Sequence, residues 1–345
     1  MPESVLKKAG AEILNYHGTG MSVMEMSHRS AAFQEIFDST KAALRAALNV
    51  PDSHEILFLQ GGATLQFAAI PMNLMRGGAA DYAVTGNFSG KAAREAAKYS
   101  GVHIAADTSS TGHDRIPAQQ ELAESADARY FYYCANNTIY GTEWQYVPEV
   151  HSPLVCDMSS DILSKPVDVA KYGLIYAGAQ KNMAPAGLTV VIIDKSLAGH
   201  EMDITPEIMS YKTLIEKDSM LNTPPCWCIY MLGLTLEWIR EQGGVEAMAQ
   251  LKKARAGLIY DVLDESRLFI AHAERGSRSD MNVTFRTASP ELDAEFIKGA
   301  AARGLVNVKG HKLAGGMRAS LYNAMPIEGA RALADYMKEF EVHHV

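Results

Sequence analysis

Between residues 153 and 194 the sequence reads PLVCDMSSDILSKPVDVAKYGLIYAGAQKNMAPAGLTVVIID, and no other stretch constrains the fold as tightly. Three apolar runs punctuate it, at 153–156, 174–177 and 188–193. Each has the length and β-branched content of a buried strand. Asp157 ends the first run, and Lys181 follows the second after the small-residue turn Gly178-Ala179-Gln180. An acid and an amine are thereby carried to the ends of neighbouring strands in apolar surroundings, where α/β folds tend to bind ligands.

Such a lysine can act as a Schiff-base nucleophile, because desolvation favours the neutral amine. Such an aspartate can keep a pyridine nitrogen protonated, since a neighbouring opposite charge shifts a pKa by roughly 1–3 units. Pyridoxal phosphate (PLP) requires both groups. Spacing alone does not decide the matter: Asp…Lys pairs are common, and a surface lysine beside a turn aspartate fits the same letters.

The rest of the chain narrows the choice. Its 345 residues, 48% hydrophobic and 21% charged, are an ordinary globular composition long enough for about two domains. A formal net charge of −8 argues against nucleic acid as the main partner, so an anionic ligand needs a local cluster of cations. Cys134, Cys156, Cys226 and Cys228 form no CxxC pair, which favours a reduced, cytoplasmic chain. No apolar run approaches the ~18 residues of a membrane span. The histidines outside the cation pairs below show no ligand spacing, and no catalytic metal is expected.

In chain order, 3–15 reads as an amphipathic helix, and a Gly-, Ser- and Met-rich loop ends in His28-Arg29 before a helix over 31–48. A His-Arg pair at a helix mouth can hold an anion, or simply be solvated. A strand at 55–59 leads through Gly61-Gly62 into a helix from Ala63, a phosphate-compatible start that plain chain reversal also explains. Strands at 82–85, 102–105 and 129–134 alternate with a helix over 88–99, and Asn136 and Thr138 after the last of them suit ligand bonding or turn capping. This alternation predicts a mostly parallel sheet with helices on both faces. Past the Pro224-Pro225 pair come helices at 228–242 and 245–263, then strands at MNVTFRT, LVNVKG and GGMRASLYN and further helices. The expected division is a large α/β domain over 1–244, whose first residues can pack on the smaller one, and a small α+β domain over 245–345.

Seven segments in order, MSHRS, GGATLQFAAIPMNL, NNTIYGTEW, CDMSSDILSKP, YAGAQKN, NTPP and GGMRASLYNAMP, resemble the phosphoserine aminotransferases, class V members of the fold-type I PLP enzymes. The resemblance spans nearly the whole chain. It implies an aspartate aminotransferase-like fold and an obligate homodimer with active sites shared between subunits. It assigns Lys181 to the cofactor's aldehyde, Asp157 to the pyridine nitrogen and Thr138 to the ring hydroxyl. Gly62, Ala63 and Gln180, with Asn222 and Thr223 from the other subunit, are implied for the cofactor phosphate. His28, Arg29, His311, Lys312 and Arg318 are implied for the phosphate and carboxylates of small anionic substrates. The implied reaction is 3-phosphohydroxypyruvate plus glutamate to phosphoserine plus 2-oxoglutarate, a step of serine biosynthesis. A second substrate from vitamin B6 synthesis, 4-phospho-hydroxythreonine, is compatible with it.

Three features depart from the family pattern. Phe88 stands where the family places tryptophan against the ring, and it can still stack without an N–H donor. Lys312 replaces an arginine, giving a point charge in place of a fork. The family's opening NFxAGPA-like motif is not in the sequence, which begins at MPES: either the start is trimmed or the substrate-side loop differs. The competing readings are another class V enzyme, a cysteine desulfurase or an alanine–glyoxylate-type aminotransferase, and a non-catalytic binding protein on the same fold. A desulfurase needs a reactive cysteine, for which Cys226 and Cys228 are the candidates.

Overall fold

The structure, a computed structural model, describes residues 1–345. Its first half comprises α1 (Glu3–Glu12), α2 (Ala31–Ala47), β1 (His54–Leu59), α3 (Gly62–Leu74), β2 (Ala79–Val84), α4 (Asn87–Ala96), β3 (Gly101–Asp107) and β4 (Phe131–Cys134). Then follow β5 (Asn136–Asn137), β6 (Thr142–Glu143), β7 (Leu154–Asp157), β8 (Leu174–Gly178), β9 (Thr189–Asp194), α5 (Tyr211–Glu216) and α6 (Cys226–Glu241). The remainder is α7 (Gly244–Glu265), β10 (Ile270–Ala271), β11 (Asn282–Arg286), α8 (Pro290–Ala302), β12 (Met317–Ser320) and α9 (Ile327–His344). No helix is long and apolar enough to cross a membrane.

The apolar runs become the middle of a seven-stranded sheet in the order β1-β9-β8-β7-β4-β2-β3. Strands β8, β7, β4, β2 and β3 pair in parallel, while β9 runs antiparallel to both β8 and β1. β1 therefore points the same way as the parallel set. The carboxyl ends of β1, β2, β4, β7 and β8 consequently share one edge, and the chain leaves each of them into a loop at that edge.

Both faces of the sheet are covered, which is why its strands read as unbroken apolar runs. Ile175, Ala177, Val190 and Ile192 pack with Phe33 and Phe37 of α2 and Ile229 of α6. The alternate residues Leu174, Tyr176, Val191 and Ile193 pack with Phe67 and Ile70 of α3 and Ala92 of α4. Each such aliphatic side chain, fully buried, contributes about 1.5–3 kcal/mol. At the start of α2, Ser30 Oγ accepts the Phe33 N–H at 3.2 Å and so caps the helix directly after His28-Arg29.

A second, antiparallel sheet, β10-β11-β12, packs with α7, α8 and α9 around its own apolar cluster. Phe269 and Phe296 meet edge-on there, with centroids 5.1 Å apart at 72°. The strand expected at LVNVKG does not form: only an isolated bridge joins Lys309 to Met317. Asn307 has a φ of 62°, and Gly310 lies so close to Gly315 O that the segment can only curl back as a loop. The short β10 takes the outer place in the sheet instead.

The β5–β6 hairpin lies between the two sheets. Asn136 Nδ2 donates to Asn282 Oδ1 at 2.8 Å, and Thr284 Oγ1 donates to Ile139 O at 3.2 Å. Gly141 (φ 74°) passes against β11, where a Cβ would lie 2.9 Å from Asn282 O.

Candidate active site

Asp157 is the last residue of β7 and pairs in register with Tyr176 of β8. The chain turns at once: Ser159 N–H donates to Asp157 Oδ1 at 2.8 Å, an Asx-type turn. Ser159 Oγ in turn accepts the Gly178 N–H at 3.0 Å, so the loop of the acid is tied to the end of the strand that leads to Lys181. Met183 and Ala184 N–H groups both donate to Ala179 O at 3.0 Å and close the turn that carries the lysine.

Asp157 is 5% exposed. The hydroxyls and the thiol around it are held in their neutral forms. Burial, reinforced by the Asp157 charge, pushes the Tyr132 and Tyr176 hydroxyls and the Cys134 thiol well up. Asp157 thus lies among neutral, buried groups. Lys181 makes no ion pair and no side-chain hydrogen bond within the chain, and its Nζ stands 5.3 Å from the centroid of the Phe88 ring.

The other strand ends supply the walls. Beyond β1, Gly61 (φ 89°) and Gly62 (φ 66°) take left-handed conformations and start α3 with no side-chain cap, leaving its first N–H groups free for an anion. A Cβ on Gly178 would lie 2.8 Å from Gln180 Oε1 and 3.5 Å from Ala63, so Gln180 and Ala63 flank the same strand end. A Gly61→Ala substitution forces both the left-handed backbone and a clash with Leu65. It should lower the unfolding free energy by at least about 1–2 kcal/mol, read from the urea midpoint.

Beyond β2, the close approach of Gly86 to Asn137 seats Phe88 beside the β5–β6 hairpin. Asn137 Nδ2 also donates to Thr85 Oγ1 and Thr142 Oγ1, both at 3.1 Å. Thr138 is 5% exposed, and Arg318 of β12 donates from Nη1 to its carbonyl at 3.0 Å. Asp157, Lys181, Gln180, Gly62, Ala63, Phe88, Thr138 and Arg318 are therefore linked through one strand-end edge and the loops on it.

The remaining expected residues stand apart within one chain. His28 is half-buried and Arg29 exposed on the loop before α2. His311 and Lys312 lie on the loop before β12, with Lys312 exposed. None of these four contacts Lys181, Asp157 or Thr138 through a side-chain bond. Asn222 and Thr223 are exposed beside Gln60, whose Nε2 donates to Thr223 O at 2.8 Å. That position borders the Gly61-Gly62 turn and faces outward. No group of three or more His, Cys, Asp or Glu side chains is placed to hold a metal. The cavity between α1, α2 and α6 contains none of the expected residues.

Two participants escaped the sequence reading. Ser159, which joins the acid loop to the lysine strand, was detectable as a serine two residues after an aspartate, an Asx-turn spacing. Asn182, which ties the residue after Lys181 to the Ile162 carbonyl and the Asn323 N–H, carries no local signal at all.

Residues 1–333 match the family model described as Aminotransferase class-V. The chain is 48% identical to the phosphoserine aminotransferase of Nitrosomonas europaea, covering 100% of this chain and 96% of that protein. Among solved structures, it is similar to phosphoserine aminotransferase from Bacillus circulans subsp. alkalophilus, with a TM-score of 0.98 and 42% identity over 100% of this chain and 96% of that one. A PLP-bound phosphoserine aminotransferase from Trichomonas vaginalis gives a TM-score of 0.94 at 38% identity, over 98% and 97% of the two chains. With residues 1–333 matched by the family model and 48% identity to a relative along the whole chain, the family is settled: the chain belongs to the class-V aminotransferases.

Proposed function

We propose that this chain is a phosphoserine aminotransferase that uses Lys181 and Asp157 on PLP. It interconverts 3-phosphohydroxypyruvate and glutamate with O-phospho-L-serine and 2-oxoglutarate. The observation that carries the reading is Lys181 itself, an amine with no acid partner, set just beyond β8, the strand paired with the one that ends at buried Asp157, and opposite Phe88.

The residues present fit the cofactor. The uncapped start of α3 at Gly62 and Ala63, with Gln180 beside it, suits a phosphate. Asp157 has one oxygen engaged by Ser159 N–H and the other without a protein donor, as a partner for a protonated ring nitrogen requires. When bound, PLP supplies an electron sink that stabilises negative charge at the substrate's Cα. The chain's own groups do the rest. Phe88 would stack on the ring, Thr138 would offer it a hydroxyl, and Asp157 would hold a proton on its ring nitrogen. Lys181 would be the amine that holds the cofactor's aldehyde and, when free, the base that takes the proton from the substrate's Cα.

Substrate recognition falls to cations. Arg318, fixed on the Thr138 carbonyl, presents the rest of its fork to a carboxylate. His28, Arg29, His311 and Lys312 complete a site for a phosphate or a distal carboxylate, with Lys312 acting as a point charge. Asn222 and Thr223, exposed beside Gln60, reach the cofactor phosphate of a second subunit in a homodimer with shared sites. Residues 1–244 act as the cofactor-binding domain and 245–345 as the small domain, in a cytoplasmic enzyme. Desulfurase chemistry lacks a nucleophile: burial raises the Cys226 and Cys228 thiols, and each is turned onto a backbone carbonyl.

A half-reaction tests the assignment. Phosphoserine and glutamate should each convert the aldehyde form of the loaded protein to the amine form, followed by absorbance, and alanine and cysteine should not. Conversion by alanine or cysteine but not by phosphoserine would overturn the substrate assignment.

A further inference from the structure

The residue after Lys181 is held more tightly than the lysine. Asn182 Nδ2 donates to Ile162 O at 2.6 Å, and Asn182 Oδ1 accepts the Asn323 N–H at 2.9 Å. Asn323 Nδ2 donates to Leu163 O at 2.8 Å. Leu163 has a φ of 63°, a conformation that a leucine keeps only where its surroundings impose it. The lysine turn, the loop after Asp157 and the loop after β12 thus meet at one pair of asparagines.

The loop after β12 is also anchored from α7. Arg255 of α7 is 1% exposed, and its Nη1 donates to Tyr322 O at 3.1 Å, Asn323 O at 2.8 Å and Met325 O at 2.6 Å. No carboxylate lies within ion-pair distance of it, and its Nε and Nη2 have no acceptor. A buried guanidinium without an acid is a costly way to fill space, and an apolar side chain would pack more cheaply. All of its polar contacts fall on the one loop that touches Asn182.

We propose that Arg255 is a positioning residue for Lys181, acting through loop 322–325 and the Asn323–Asn182 pair. The arrangement joins the second sheet's scaffold to the reactive turn: α7 fixes the loop, the loop fixes Asn182, and Asn182 fixes the backbone from which Lys181 projects. The proposal rests on Lys181 being the reactive amine, but its first readout does not use the reaction.

The test is amide hydrogen exchange by mass spectrometry on the full-length protein without added cofactor, with Arg255→Met, Arg255→Lys and Asn182→Ala compared with the parent. The Met183 and Ala184 amides, which close the lysine turn, should exchange about tenfold faster or more in Arg255→Met and Asn182→Ala, with β9 amides unchanged. Arg255→Lys, which can still donate to the carbonyls, should fall between. With PLP bound, both larger changes should lower kcat about tenfold and leave KM for phosphoserine within about twofold, as a displaced lysine predicts. Unchanged exchange at 183–184 while loop 322–325 speeds up would overturn the proposal, as would a raised KM with kcat intact. Should Arg255→Met not fold, Asn182→Ala decides by the same criteria. If the parent failed to transaminate phosphoserine, the exchange result would still stand or fall separately.

Discussion

Lys181→Ala should abolish transamination by at least about 10⁴-fold while leaving the fold intact, because in the proposed mechanism one side chain serves both as the covalent partner of the cofactor and as the proton carrier. The geometry explains why the two effects separate. Lys181 has no ion pair and no side-chain hydrogen bond to lose, and the turn beneath it is closed by the Met183 and Ala184 amides and by Asn182. The unfolding free energy should therefore change by less than about 1 kcal/mol. Lys181→Arg should be equally inactive, since a guanidinium stays protonated and cannot act as the nucleophile. A small primary amine added from solution should restore part of the Lys181→Ala rate, and nothing in Lys181→Arg, where the site is still filled. The complementary measurement is borohydride reduction of the PLP-loaded parent followed by peptide mapping. The reduced cofactor should be found on residue 181 alone. Turnover of Lys181→Ala within tenfold of the parent, or a tag on another lysine, would remove the mechanism.

The candidate strand ends could be read from the sequence because the strands that carry them are buried on both faces. Runs such as 174–177 and 188–193 are then uninterrupted, and the first polar residues after them mark the strand ends. Asp157 and Lys181 stand out for that reason, and Thr138 and the Gly61-Gly62 turn follow from the same logic at β4 and β1. The reversed direction of β9 was not legible, since its run looks like any parallel strand. The false strand at 305–310 had the composition of one, but Asn307 and Gly310 bend it in three dimensions. Lys252 and Arg255 were the least legible. In the letters LKKARAG they look like a solvated face, and their partners lie far along the chain, Glu143 being 109 residues from Lys252. His28-Arg29 could be picked out as a cation pair at a helix mouth, whereas His311, Lys312, Asn222 and Thr223 came from the family resemblance alone, and within a single chain none of the six bonds Lys181.

Glu143→Gln should cost about 3–5 kcal/mol of stability, the range for removing one partner of a buried ion pair. Glu143 ends the hairpin that carries Thr138 and is 1% exposed. Its Oε1 accepts from Lys165 Nζ at 2.6 Å and Lys252 Nζ at 2.8 Å, and its Oε2 accepts the Asp280 N–H at 3.1 Å. Burial alone would raise this carboxyl, but the two ammonium groups more than reverse that and hold it below the usual range. Glutamine keeps the shape and removes the charge, leaving the buried Lys252 with only Asp280, at 4.0 Å. Asp161 is the control. It is equally buried, has one oxygen with no donor, and lies 3.7 Å from Lys165. Burial pushes its carboxyl up to about 6. Between about pH 3.9, where the unfolded chain releases that proton, and about pH 6, the native state binds it more tightly, so stability falls as pH rises. That fall should vanish in Asp161→Asn, whose urea midpoint at about pH 7.5 should equal or exceed the parent's. For Glu143 the sign is opposite: its stabilisation is present above about pH 4.3 and is lost as pH falls through its lower native value. The two substitutions, each deleting one buried negative charge from the same cluster, should thus move the midpoint in different directions. Equal losses would mean that total charge, and not the place of Glu143 between two lysines, is what holds the Thr138 hairpin to α7.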